Sequence, residues 1–189
     1  MATVSYALTT KEQVKRYLEI SVATYDDLID ELINYLTAFI EKECGGRRFK
    51  YSPYSNELYD GDNFGSLMLL NQYPLYSLVR LEYNAGNTKM PNWKTVDRDD
   101  YEIYEDIGGV YFYNKPVGKR NIRASYYAGY TTIPHDLAFL ATRLVARIFE
   151  KRKSEGIESE SLGGVNVGWD EFLKDEDRKI ISNYLRKIV

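Results

Sequence analysis

Hydrophobic positions near the start of the chain recur at the spacing of a helix. In the stretch 10–18, Val14, Tyr17 and Leu18 fall on one face of a helix. Thr9 precedes them, and Glu12 follows Thr9 by three residues, which is the pattern of a capping box. The pattern predicts a short amphipathic helix that begins after Thr9.

A longer helix is predicted from the next segment, TYDDLIDELINYLTAFIEKECGG. Thr24 is the expected N-cap, and Asp26 and Asp27 place negative charge in the first turn, where the helix dipole favours it. Gly45 and Gly46 predict the end of this helix. The apolar positions expected on its buried face are Leu28, Leu32, Tyr35, Leu36 and Phe39.

Between residues 47 and 130 the apolar positions become short runs separated by turn residues. The runs Leu78–Tyr83 and Val110–Tyr113 are rich in residue types that suit a half-buried pleated surface. Of the 18 tyrosines, 13 lie between Tyr51 and Tyr130, so this region differs in composition from its flanks. The pattern predicts an antiparallel β region. Its strand-like segments are ELYDG, SLMLL, SLVRLEYN, DYEIYE, GVYFYN and NIRASYY.

Helical spacing returns in IPHDLAFLATRLVARIFEKRK, where Pro134 suits the first helical position. A stretch rich in glycine and serine follows from Gly156, and a last helix is predicted from about Asp175 to Ile188. A loop of that length is uncommon in a small domain and is typical of a functional or mobile segment. The residues expected to be buried are Leu137, Leu140, Leu144, Val145 and Ile148 in the long helix, and Ile181, Tyr184, Leu185 and Ile188 in the last one.

These elements predict an α+β fold that is mainly α. We expect an antiparallel-like helical bundle with a β-rich insertion between helices 2 and 3 and a C-terminal helix after a flexible loop. The chain is interpreted as one domain of 189 residues, with a helical start (1–46), a β-rich insertion (47–131), a long helix (132–155) and a flexible loop with the terminal helix (156–189). The helices are expected to hold the core, through residues such as Leu32 and Leu144, and the insertion to be a satellite.

Composition and charge narrow the class of protein. Hydrophobic residues make up 44% of the chain and charged residues 28%, which are ordinary values for a soluble globular protein. A single cysteine excludes an internal disulfide. The N-terminus lacks the features of a signal peptide, and no apolar run approaches membrane-spanning length. We therefore expect a protein made in a reducing cytoplasm, and the net charge of −3 argues weakly against sequence-specific DNA binding.

Candidate catalytic groups are few. His135, the only histidine, is expected to be exposed in the first turn of a helix, and Cys44 follows a helix, where the dipole does not favour a thiolate. Neither residue has neighbours at metal-ligand spacing. The acidic pairs are expected to be caps or solvated turns, although two carboxylates across a cleft could serve a hydrolase. The glycine pairs match no phosphate-binding motif, so no catalytic residue, cofactor or metal is predicted.

A basic stripe is predicted on the long helix at Arg143, Arg147 and Lys151. Cations in the last turns of a helix interact favourably with its dipole. The stripe therefore has two interpretations. It is a solvated or salt-bridged face, or it faces a neighbouring subunit or DNA.

The order of several motifs resembles a known family. The chain opens with LTTKEQVKRYL, and a DDLIDELINYLTAFIEKECGGRRF helix follows. The YDG turn at 59–61, the segment LMLLNQYPLYSLVRLEY, the segment YYAGYTTIPHDLAFLATRLVARIFEKR and the stretch GIESESLGGVNVGW come next in that order. In these features the chain resembles the head–tail connector (adaptor) proteins of tailed bacteriophages, prophages and gene-transfer particles. The match covers nearly the whole chain, and the middle, especially Asn84–Asp106, is longer than in the family.

The resemblance implies a structural virion protein without catalytic residues or cofactor. Such proteins form a ring, typically twelve-fold, below the portal protein at the head–tail junction. They extend the DNA channel and provide a platform for the stopper or tail-completion protein. The implied partners are the portal, the stopper, further copies of the chain, and double-stranded DNA that passes without specific binding, with no membrane. Twelve copies would have a total net charge of 12 × (−3) = −36. A ring with this charge would repel DNA phosphates.

The C-terminal segment is a candidate portal-docking arm, because a segment that orders on binding can wrap a partner. A stopper or tail-completion protein of the phage neck is the alternative within the virion, and a carboxylate-based hydrolase is the alternative of another class. The residues assigned to the arm are Ser159, Ser161, Leu162, Gly163, Gly164, Trp169, Phe172, Tyr184 and Leu185.

Overall fold

The structure is a computed structural model that describes residues 2–87, 89–158 and 173–186. The chain divides into two compact units. The helical unit comprises Met1–Gly46 and Ile133–Arg186, and the β unit comprises Arg47–Thr132.

The helical unit contains four helices in its described residues. They are α1 (Lys11–Tyr17), α2 (Asp26–Glu43), α3 (His135–Glu158) and α4 (Asp175–Asn183), and a 3₁₀ turn, Ala23–Tyr25, precedes α2. α3 continues past the predicted end at residue 155, and α4 ends before the predicted end at residue 188. Helix ends are the part of a helix that a sequence pattern specifies least.

The predicted caps of the first two helices are wrong. The N-cap of α1 is Thr10, whose hydroxyl accepts a hydrogen bond from the Gln13 N–H at 3.3 Å. Gln13 bonds back to the Thr10 N–H at 3.0 Å, so the capping box is one residue later than predicted. The Thr9 hydroxyl instead forms a buried 2.6 Å hydrogen bond with Thr142 of α3. Thr24 lies within the 3₁₀ turn and does not cap α2.

The buried face of α2 is rotated from the predicted one. Leu32 is only partly buried and Tyr35 is 49% exposed. Asp30 lies on the buried face because Lys11 of α1 donates to its carboxylate at 2.9 Å and Thr3 donates at 2.5 Å. Apolar residues surround much of this helix, so the sequence is compatible with more than one buried face, and tertiary packing decides which face is buried. The apolar residues that are buried are Ile29, Ile33, Leu36 and Ile40.

The predicted face of α3 is largely confirmed. Leu137, Leu140, Leu144 and Val145 are buried, Ile148 is partly buried, and Phe149 joins the buried set. They complete the core of the helical unit.

The described residues of the β unit form seven strands in two antiparallel sheets. The four-stranded sheet has the order β1-β7-β3-β4, with β1 at Ser52–Tyr59, β7 at Ile122–Ala128, β3 at Leu75–Asn84 and β4 at Trp93–Thr95. The three-stranded sheet has the order β2-β6-β5, with β2 at Leu67–Leu69, β6 at Gly109–Phe112 and β5 at Tyr101–Tyr104. The predicted antiparallel β region is confirmed.

The β unit has its own hydrophobic core, so the prediction of a satellite insertion is wrong. β7 alternates strictly between buried and partly exposed residues, which places one full face of the strand in that core. The fold is mixed α+β as predicted, but two sheets with a separate core mean that it is not mainly a helical bundle. The core residues are Met68, Leu70, Leu75, Leu81, Val96, Val110, Phe112, Ile122, Ala124, Tyr126 and Ala128.

Candidate functional site

The C-terminal helix α4 is fastened to α3 by one buried carboxylate. Asp177 has no exposed side-chain surface, and it accepts hydrogen bonds from Arg143 and, at 2.8 Å, from Arg147. The Lys174 N–H also donates to it at 3.0 Å. Burial alone would raise the pKa of Asp177, but the bond from Arg147, the bond from the Lys174 N–H and the charges of both arginines hold it below its usual value. This clamp ties α4 to the helical unit.

Two members of the predicted basic stripe, Arg143 and Arg147, form this clamp with Asp177. Arg143 and Arg147 have side chains that are 20% and 23% exposed, and both are directed to Asp177. Arg143 also lies 3.3 Å from Glu176. Lys151, the third member of the stripe, lies one helical turn after Arg147 and is partly buried. A role for this stripe toward a subunit or DNA therefore remains a prediction.

Apolar contacts reinforce the attachment of α4. Leu173 and Ile181 are buried, and the Ile181 carbonyl accepts a weak hydrogen bond from the Cys44 thiol at 3.8 Å. The Tyr184 hydroxyl donates to Asp136 of α3 at 2.5 Å, whereas Leu185 is 44% exposed. These two are the only members of the predicted docking arm within the described residues. Ser159, Ser161, Leu162, Gly163, Gly164, Trp169 and Phe172 lie outside them, so the arm remains a prediction.

A buried arginine organises one end of the β unit. Arg47, the first arginine of the CGGRRF motif, is 3% exposed and donates to the Tyr73 carbonyl at 2.6 Å. Its guanidinium carbon lies 3.7 Å from the centre of the Tyr73 ring and 4.7 Å from that of Phe49. Such rings stabilise a cation that has left water. In the sequence, Arg47 is only part of the CGGRRF motif, and no local pattern predicts the aromatic cage around it.

The YDG turn at 59–61 contacts the loop that precedes β7. Asp60 accepts from the Arg120 N–H at 2.6 Å, and the Gly61 N–H donates to the Asn121 side chain at 2.9 Å. A Cβ at Gly61 would lie 2.0 Å from the Pro116 carbonyl oxygen, so only glycine fits there. The turn thus fixes the loop before β7.

A polar network fastens β1 to β7. Glu57 accepts hydrogen bonds from the hydroxyls of Tyr59 at 2.6 Å and Tyr126 at 2.7 Å, and from the Asn71 side chain at 3.1 Å. Burial, and then the bond to Glu57, raise the pKa of Tyr59. Because each hydroxyl has a carboxylate acceptor, both tyrosines hold their protons and the network is structural.

His135 and Cys44, the two residues considered as catalytic candidates, lie at the ends of helices, as the sequence predicts. His135 is exposed as the first residue of α3, and Cys44 is buried after α2. Two clefts in the described residues each contain a single carboxylate, Glu82 in one and Glu43 in the other. Within the described parts of the chain, no three histidine, cysteine or acidic side chains are grouped to hold a metal ion. None of the described helices has both the length and the hydrophobicity of a membrane span.

The remaining functional candidates are exposed apolar surfaces, which are typical of interaction sites. On the helical unit, Tyr17 of α1 contacts Phe139 of α3 edge to face at 6.0 Å, and these side chains are 47% and 52% exposed. On the β unit, Tyr76 and Val79 of β3 are 60% and 59% exposed. Sequence patterns predicted β3 but could not show that these two side chains face away from the core.

Comparison with solved structures finds the same fold in particles that resemble phages. A chain in the neck of an empty gene transfer agent particle, computed with C6 symmetry, has a TM-score of 0.63 at 14% identity, with coverage of 100% of this chain and 95% of that one. Chains in the virion of the native gene transfer agent particle and in its neck computed with C12 symmetry have TM-scores of 0.57 and 0.54, both at 14% identity, with coverage of 100% and 94%. No curated protein matches the chain in sequence.

A family model described as head completion protein matches residues 7–186. This match spans almost the whole chain, and the family is structural rather than a class of enzymes. The resemblance to neck proteins of the phage head–tail junction is confirmed. The chain therefore belongs to the head completion protein family and is a structural neck protein of a phage-like particle.

Proposed function

We propose that this chain is the adaptor of the neck. It forms a ring, twelve-fold in its full form, below the portal protein, extends the DNA channel and presents a platform for the stopper or tail. The observation that carries the proposal is the full-length similarity to neck chains whose structures were computed with C6 and C12 symmetry. In this role the chain enters the virion at the head–tail junction after synthesis in the host cytoplasm.

Features of the fold support a role in assembly rather than in chemistry. The Asp177 clamp places a short helix at the C-terminal end of the chain against α3, and it leaves Leu185 exposed. Exposed aromatic pairs lie on both units. Tyrosine and other aromatic residues are enriched in protein interfaces.

Mass photometry of the chain expressed together with its portal protein tests the proposal. Twelve copies of a 22.0 kDa chain would add 12 × 22.0, or about 264 kDa, to the portal. We expect this increase only with the portal present, because the chain alone is expected to be a monomer or a weak oligomer. An unchanged portal mass would refute portal binding. Ring-sized mass without portal would refute portal dependence.

The portal contact is proposed to involve the C-terminal segment, with Trp169 as its anchor. Complete removal of residues 156–189 is a poor test, because it would also delete the buried Ile181 and Asp177. Trp169→Ala is better, and loss of a hot-spot residue weakens binding by about 2 kcal/mol or more, which is roughly 30-fold in Kd. Tyr113→Ala, at a 61% exposed position of the β unit, is the control and should bind normally. Equal portal affinities for the two variants would exclude Trp169 as the anchor.

A stopper or tail-completion role is the second candidate, because the family description refers to completion of the head. The same experiment separates the roles. A stopper would not bind the isolated portal but would bind a portal that already carries its adaptor.

A further inference from the structure

One edge of the four-stranded sheet is incompletely covered. β3 pairs with β7 along its length, but β4 pairs only with Glu82–Asn84 on the other side. The Leu81 carbonyl accepts from the Val96 N–H at 2.9 Å, and the Leu75 N–H donates to the Glu105 carbonyl at 2.7 Å. Between these two bonds, no described residue pairs with the outer edge of β3 at residues 76–80. We call these five residues the open edge.

Two bulges shape the open edge. Tyr76 and Val79 have no partner in the β3–β7 register, which shifts between Leu75 and Ser77 and again between Leu78 and Arg80. These unpaired residues are the two that are about 60% exposed. Bulges re-aim side chains and limit the length of strand available for pairing. The open edge therefore suits a short extended segment rather than a long strand.

A cleft of about 400 Å³ lies where such a segment would add to the sheet. Leu78 and Val79 of β3 line it, as do Thr95 and Val96 at the end of β4 and Tyr101 at the start of β5. An added strand there would continue the position of β4 beside β3. Backbone bonds would supply affinity, and the apolar lining would accommodate alternate side chains.

The charge at the cleft favours an acidic segment. Arg123 neutralises Glu82 with contacts of 2.8 and 2.7 Å, and the Glu82 side chain is only 10% exposed. Arg80 lies 3.9 Å from the same carboxylate, and its side chain is 54% exposed. Because Arg123 already pairs closely with Glu82, the exposed Arg80 guanidinium leaves an excess positive charge at the cleft for an acidic side chain of a partner.

We propose that the open edge binds the short extended segment Glu19–Val22 from the helical unit of a second copy of this chain. The choice of a second copy rests on the proposed ring, because a closed ring needs two different complementary surfaces on each subunit. Glu19 is exposed and directly precedes residues 20–22, so its carboxylate can pair with the exposed Arg80 of the neighbouring copy. Between α1 and the 3₁₀ turn, residues 20–22 have no helical or strand structure, and Val22 is 53% exposed.

The other edge of the sheet is less suited to this contact. β1 contains Pro53, which has no N–H to donate, and a register shift between Tyr54 and Glu57 with a positive φ at Asn56. Proline and bulges are the devices by which edge strands avoid further pairing. β3 has bulges but no proline, and its exposed Val79 lines the cleft.

Photo-crosslinking in assembled particles tests the inference. The photoreactive residue p-benzoylphenylalanine replaces Val79 in the test chain and Val117 in the control, which is 76% exposed on a loop of the same unit. We expect position 79 to give a two-chain adduct whose crosslinked peptide contains residues 19–22, and position 117 to lack it. Arg80→Glu should abolish the adduct from position 79, whereas Lys119→Glu, at another exposed basic position, should leave it intact.

The outcomes separate this inference from the proposed function. Particles that incorporate the chain but give an adduct only with a different protein, or no adduct at all, would overturn the inference and leave the ring untouched. A two-chain adduct that survives Arg80→Glu would overturn the charge argument. Absence of the unmodified chain from particles would instead overturn the proposed function.

Discussion

The Asp177 clamp gives the sharpest prediction for the helical unit. Asp177→Asn keeps the shape of the side chain but removes the charge that faces Arg143 and Arg147. Removing one partner of a buried ion pair usually costs about 3–5 kcal/mol, because the other charge remains without compensation. Here the arginine side chains are about a fifth exposed, and Glu176 lies 3.3 Å from Arg143, so part of the charge can be resolvated. We expect a loss of about 2–4 kcal/mol.

The size of this loss can be measured by denaturant unfolding and by amide hydrogen exchange. Exchange of the α4 amides should accelerate, since the clamp is a buried polar contact between α4 and α3. Glu176→Gln is the matched control, because Glu176 is the preceding residue, contacts the same arginine and is 59% exposed. Its cost should stay below about 0.5 kcal/mol, as for other surface pairs. If Asp177→Asn and Glu176→Gln have equal stability and equal α4 exchange, the clamp does not hold the helix.

Four further predictions concern the core of each unit, the YDG turn and the Asp177 clamp. Ile33→Ala should lower the free energy of unfolding, measured with denaturant, by about 2–5 kcal/mol, and Leu32→Ala by clearly less, because Ile33 is fully buried and Leu32 is not. A larger loss for Leu32→Ala would instead support the buried face predicted from the sequence. Phe112→Ala should cost about 3–5 kcal/mol, since it empties the core of the β unit, and a loss under 1 kcal/mol would make that unit a satellite after all. Gly61→Ala should destabilise the β unit by roughly 1–3 kcal/mol in a thermal melt, and an unchanged melt would contradict the close approach of Pro116. Asp177 has a lowered pKa, so its contribution should be complete above the ordinary value of 3.8 and lost as pH falls through the folded pKa; unfolding curves of Asp177→Asn and wild type should therefore converge in strong acid, and a constant difference would refute the linkage.

Much of the secondary structure could be predicted from the sequence, because local periodicity encodes it. The β runs around Leu78 and Val110 and the buried face of α3 are where their patterns indicate. The phase of α2 could not be predicted. Its apolar residues surround much of the helix, and the choice of Ile33 over Leu32 depends on a buried Asp30 that is acceptable only because Lys11 pairs with it.

The interaction surfaces were harder to predict for a related reason. The basic stripe on α3 was visible in sequence, but its partner Asp177 lies 30 residues beyond Arg147, and no local pattern connects them. The open edge of β3 depends on where β4 ends and where two bulges fall, which are properties of strand register. The order of motifs along the chain indicated the neck of a phage-like particle, because a resemblance of this kind reflects the whole fold rather than any single site.

Cryo-electron microscopy of intact particles tests the proposed adaptor ring. We expect this chain to form a ring, with one copy per portal subunit, in density between the portal and the tail, and DNA to pass through it without ordered contacts. Density for the chain in the capsid shell or the tail tube, or particles that complete their necks normally without it, would contradict the proposal.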